Sequence, residues 1–202
     1  MQFTNFALAA FAAGSAFAAP AVKQVRALDI LNVALGTVGT VQTTVQTELA
    51  NIEALISVNA STAGLVPQLE SSLGNIAGEI QKILGDVTPL VSQTLPKLAE
   101  DELANVPQLL NGVLSIANGV KSTAENIVNG VASDALKAIK PELQLVLSTV
   151  EPIAKPVVNF ALSAVDGVVG EVATEVNGLV GDLNGVLGGL LSPVTNLLGS
   201  IL

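Results

Sequence analysis

The chain has 202 residues, eight basic against seventeen acidic side chains for a net charge of −9, and neither His nor Cys. Without imidazole or thiol it lacks the commonest general base, the thiol nucleophile and the usual zinc ligands, so Ser-His-Asp and Cys-His catalysis are excluded. An acidic chain with no basic cluster is also a poor partner for nucleic acid or anionic membranes.

Residues 1–18 read as a secretory signal peptide. Phe6 to Ala13 form a short apolar run, and Ala16-Phe17-Ala18 supplies the small-x-small cleavage pattern. The n-region has no Lys or Arg, so the free amino terminus alone carries positive charge there. Cleavage leaves 19–202 as a single helical domain, with no transmembrane span in the mature chain. Four of the five Phe residues fall in the signal, which leaves Phe160 as the aromatic of the mature chain. A secreted chain without disulfides must draw its stability from packed aliphatic side chains.

Apolar spacing of three and four residues then dominates, the signature of one helix face. Leu31, Leu35, Val38, Val45, Leu49, Ile52 and Ile56 form a first stripe, interrupted at Gln42 and weakened by Gly36 and Gly39. Segment 58–63 is the clearest loop and contains the sequon Asn59-Ala60-Ser61, which makes Asn59 the candidate N-glycosylation site of a secreted chain. Leu69, Leu73, Ile76, Ile80, Ile83 and Val87 form an unbroken second stripe.

Glu100-Asp101-Glu102 is the densest acidic cluster; it reads as a solvated helix start, with carboxylates favoured by the helix dipole. Its spacing matches no calcium loop, and no metal or cofactor is expected. A third stripe runs through Val106, Val113, Val120 and Ile127, with Leu110, Ala117, Ala124 and Val131 at the alternate position.

The fourth is the longest: Leu162, Val165, Val169, Val172, Val176, Leu179, Leu183, Val186 and Leu190 predict one long heptad-patterned helix before Pro193. Gly167, Gly170, Thr174, Gly178, Gly181, Gly185 and Gly188 give it a small, nearly uncharged outer face. Close packing against another helix, chain or lipid, and hence self-association, is one use of such a face; tolerated surface drift is the other. Residues 183–202 carry no charge but are interrupted by polar residues at helical intervals, which favours an amphipathic terminal helix over a GPI signal.

Pro67, Pro89, Pro96, Pro107, Pro141, Pro152, Pro156 and Pro193 suggest boundaries or kinks for five to seven segments. Asn-Gly pairs at 111, 118, 129, 177 and 184 raise a hairpin alternative. The apolar residues around them keep helical spacing, and the pairs 111/118 and 177/184 are one heptad apart, which places them on the outer face of a helix. The fold class expected is therefore all-α: an antiparallel multi-helix bundle of amphipathic, Pro-punctuated helices around an aliphatic core.

Neither G-x-S-x-G nor a phosphate-binding glycine motif occurs. Carboxylate pairs alone can hydrolyse glycosides, but one Phe offers little for stacking a sugar, so this is the least favoured reading and the chain is expected not to be an enzyme. Two binding readings remain: amphipathic helices adsorbing to hydrophobic or wall surfaces, and a bundle interior carrying fatty acids or other lipid ligands.

The signal beginning Met1-Gln2-Phe3-Thr4, followed by cysteine-free amphipathic segments such as VQTTVQTELANIEAL at 41–55, resembles small secreted proteins of filamentous fungi. It looks most like the hydrophobic surface-binding protein A type, with its cell-wall mannoprotein relatives, and like helical proteins of the conidial wall. The resemblance is one of pattern over residues 22 to about 190 and carries no individual functional residue. It implies a secreted, extracellular or cell-wall protein that adsorbs to hydrophobic surfaces, binds lipid in a helical cavity or coats the wall. The Gly and Asn-Gly richness after residue 105 departs from the surface-binding pattern.

Overall fold

The computed structural model describes residues 27–58, 62–92 and 98–190. These residues form five helices: α1 (Ala27–Ser57), α2 (Thr62–Ser92), α3 (Asn105–Gly130), α4 (Ser133–Ala164) and α5 (Glu171–Leu190). The expected signal peptide, the sequon at Asn59, Pro96, Pro193 and the end of the uncharged tail lie outside the described residues.

Each helix buries the stripe that its spacing marks. Leu69, Ile76, Ile80, Ile83 and Val87 of α2 are wholly buried, as are Val106, Leu110, Val113, Ala117 and Ile127 of α3. On α1, Leu31, Val38, Val45, Leu49 and Ile52 are buried, while Leu35 and Ile56 are half-buried at its flank. Burial of aliphatic area at roughly 25 cal/mol per Å² is the main force holding the helices together.

Helix directions follow from which residues meet. Thr37 Oγ1 donates to Asp86 Oδ2 at 2.6 Å and Asn75 Nδ2 donates to Glu48 Oε1 at 3.1 Å, so α1 and α2 run antiparallel. Between α1 and α3 the numbers rise together. Gln42 Nε2 donates to Ser115 Oγ at 2.9 Å and Asn126 Nδ2 to Glu53 Oε1 at 3.4 Å, so these helices are parallel. Val131 and Ala132 alone join α3 to α4, which turns the chain back along α3.

Two antiparallel hairpins, α1/α2 and α3/α4, therefore lie side by side. The main contacts close a ring in the order α1, α2, α4, α3, and α5 packs on the outside of α3 and α4. The expected antiparallel all-α bundle is present, with like-directed neighbours where the hairpins meet.

The five described helices fall within the expected five to seven segments, and most of the described prolines lie within a helix instead of ending it. Pro67 and Pro89 lie inside α2, and Pro141, Pro152 and Pro156 inside α4. Pro107 occupies the first turn of α3, where a missing amide hydrogen costs little. Pro67, Pro141 and Pro152 are exposed, so the carbonyl freed one turn earlier can face water. The expected loop 58–63 is shorter than its sequence suggests, because α2 resumes at Thr62.

The long helix expected over 162–190 is two helices. α4 ends at Ala164, and a turn follows in which Gly167 (φ 75°) and Gly170 (φ 127°) adopt backbone conformations that side chains disfavour. Heptad spacing runs through the break because Val165 and Val172 pack into the same core from opposite sides of the turn. Val169, expected within the stripe, is 95% exposed.

Candidate functional site

Chemistry-bearing side chains are dispersed. Among the described residues no three acidic groups gather as a metal site would require. Glu100 and Asp101 are exposed on a turn that precedes α3 and does not belong to it, which corrects the expected helix start. Glu102 Oε2 accepts the amide hydrogen of Ala99 at 2.8 Å, a side-chain-to-backbone contact that closes this turn. Glu142 of α4 has one carboxylate oxygen screened from solvent without a hydrogen-bond partner. The two described ion pairs, Lys82–Glu79 and Lys155–Glu151, each lie within one helix and do not link helices.

Among the described residues, three grooves that follow helix seams open to solvent. The largest of these three, about 700 Å³, lies between α1 and α2, with Glu48, Asn51, Gln68 and Asn75 on its polar walls and Leu55 and Val58 on its apolar side. A second, about 460 Å³, runs past Glu53, Ile56, Asn126 and Gly130 between α1 and α3. The third, about 390 Å³, separates Asn118 and Lys121 of α3 from Asp182 and Gly185 of α5.

The five aliphatic faces themselves are the largest feature. Together they merge into one core in which Phe160 is the single ring. Among the described residues one helix, α4, is long and apolar enough to cross a membrane, but it carries Asp134, Lys137, Lys140, Glu142, Glu151 and Lys155 and turns its apolar stripe into this core.

The Asn-Gly pairs lie within α3 and α5, so the hairpin alternative does not form. Their glycines differ in surroundings. In α5 a Cβ built on Gly178, Gly181, Gly185 or Gly188 meets nothing within 4 Å, whereas one on Gly189 would stand 3.3 Å from Lys121 Nζ of α3. Those of α3 do not share the expected outer face: Gly112 is buried, and a Cβ there would overlap Val38 Cγ1. A Cβ on Gly119 would stand 2.7 Å from Leu49 Cδ1, and one on Gly130 would stand 2.6 Å from Ile56 Cγ2. These glycines are notches that let α1 approach α3 closely. The signal was in the sequence, since Gly112 and Gly119 share a heptad register, but nothing in that register names the facing helix.

The outer side of α1 is uncharged from Ile30 to Thr47. Thr40, Thr43, Thr44 and Thr47 donate their hydroxyl hydrogens to carbonyls of the preceding turn, at 2.9 to 3.2 Å. Hydroxyls satisfied within their own helix lose less when water is withdrawn from that face. Val33, 55% exposed, adds an aliphatic contact at its start.

No protein-family model matches the chain, and neither the curated proteins nor the solved structures include one significantly similar to it.

Proposed function

We propose that this is a non-catalytic secreted or cell-wall protein that adsorbs to hydrophobic or wall surfaces and coats them. One observation carries the reading: five long helices bury aliphatic faces against each other with few polar links between helices. The described side-chain bonds between helices are those of Thr37, Gln42, Asn75 and Asn126. Each such bond contributes about 1 kcal/mol net. An aliphatic face moved from the core to an apolar surface stays out of water, so most of its burial energy is retained. Opening at such a boundary therefore forfeits a few hydrogen bonds and the helix packing, not the hydrophobic effect.

Weak charge fits the same reading. The described ion pairs, Lys82–Glu79 and Lys155–Glu151, are local, and the self-satisfied hydroxyls of α1 offer little resistance to drying. The resemblance to hydrophobic surface-binding and conidial-wall proteins of filamentous fungi points in the same direction.

The test is depletion of purified mature protein from buffer onto polystyrene beads, beside an acidic soluble protein of similar size. Adsorption to about monolayer coverage, unchanged between low and ~1 M salt because charges do not drive it, is the expected result. Depletion no greater than that of the control overturns the proposal.

A further inference from the structure

We propose that α5 is the part of the molecule that makes the contact: it leaves α3 and α4, pivots at the turn 165–170, and lays its Val/Leu face on an uncharged apolar surface. This rests on the adsorption reading and goes further, because it names the element and leaves the other four helices assembled.

Four observations carry it. First, α1 to α4 close a ring, and α5 lies outside that ring on α3 and α4. Second, no described side-chain hydrogen bond ties α5 to a neighbour. Those of Thr174 and Asn177 return to Gly170 O and Ala173 O, within the helix or its first turn. α1 differs, since its side chains are bonded to both α2 and α3.

Third, the turn before α5 is built to pivot. Gly167 and Gly170 tolerate backbone angles on both sides of φ = 0, and neither has an atom within 4 Å of where a Cβ would stand. Val169 between them is 95% exposed, an aliphatic side chain already in water at the pivot.

Fourth, the face that α5 buries is continuous and aliphatic: Ala173, Val176, Val180, Leu183 and Leu190, flanked by Val172, Leu179, Val186 and Leu187. The charges of α5 are Glu171, Glu175 and Asp182, with no cation. That pattern suits an uncharged surface and disfavours an anionic bilayer, which basic helices select. Five glycines in twenty residues make α5 a poor helix when alone. Undocking in water is therefore transient, and an apolar surface captures it by restoring burial of the stripe.

The experiment uses the full mature chain with Val38→Cys and Gly112→Cys. A Cβ on Gly112 would lie 3.8 Å from Val38 Cβ, the usual separation in a disulfide, and the chain has no other cysteine. Oxidation staples α1 to α3 and leaves α5 free. Circular dichroism of the oxidised and reduced forms verifies the helical fold. Binding of both to polystyrene beads is then measured beside hydrogen exchange of the unmodified protein in buffer.

The expected results are that the staple changes adsorption less than twofold, and that amides of 171–190 exchange at least about tenfold faster than those of α1 and α2. Exchange in α5 as slow as in α1, or adsorption lost on oxidation and regained on reduction, overturns the proposal while the adsorption reading stands. If the unmodified protein does not adsorb at all, the adsorption reading fails and this proposal fails with it.

Discussion

Val38 of α1 fills the space that any side chain on Gly112 of α3 would need. Val is branched at Cβ and stiff about χ1, so it has little freedom to move aside. Gly112→Ala should therefore destabilise the protein by about 1–3 kcal/mol, read as a lower urea midpoint at unchanged slope. Gly119→Ala should cost less, because the facing atom is the far end of Leu49, which can rotate. Adding Val38→Ala to Gly112→Ala should recover part of the loss, and the double-mutant cycle should show coupling of at least about 0.5 kcal/mol. Strict additivity would mean that the two residues do not meet.

The outward glycines should behave in the opposite way. Gly74 and Gly78 of α2, like Gly181 and Gly185 of α5, face open space in regular helix. Alanine at each should stabilise by about 0.5–1 kcal/mol, because it restricts the unfolded chain and favours helix without meeting a neighbour. Thermal unfolding of the four single variants checks this, and a fall in Tm at any of them would show that its face is covered.

Gly167 and Gly170 form a third class, open in space but constrained in backbone. Alanine at either position should cost roughly 1–2 kcal/mol although it touches nothing. Urea titration distinguishes this from the outward glycines: the same substitution in equally empty surroundings should change stability with the opposite sign.

Burial decides what aliphatic truncation does. Ile80 is fully buried in α2, and Ile80→Ala should cost about 2–5 kcal/mol through lost burial and the cavity left behind. Val33 is half-exposed on α1, and Val33→Ala should stay within about 0.5 kcal/mol of the parent. If both reduced adsorption to polystyrene equally without equal losses of stability, surface contact and not packing would set the affinity.

The buried part of the fold was legible because burial imposes a period. Leu69, Leu73, Ile76, Ile80, Ile83 and Val87 recur at helical spacing and all are buried within 2% exposure or less. The candidate site was legible only by exclusion: absent His and Cys remove whole classes of chemistry, but no residue pattern names the surface a stripe will meet. Asn59, the one specific site residue, lies outside the described residues.

Composition and spacing thus determined by themselves that the chain forms amphipathic helices with aliphatic stripes, because those depend on residues a few positions apart. Tertiary structure decided which stripes face which, and three details followed. The glycines of α3 became notches against α1 while Gly178, Gly181, Gly185 and Gly188 of α5 stayed open. The prolines of α2 and α4 were retained within packed helices. The 162–190 stripe was divided at Gly167 and Gly170, since heptad spacing records which side chains are buried and is blind to the backbone angles between them.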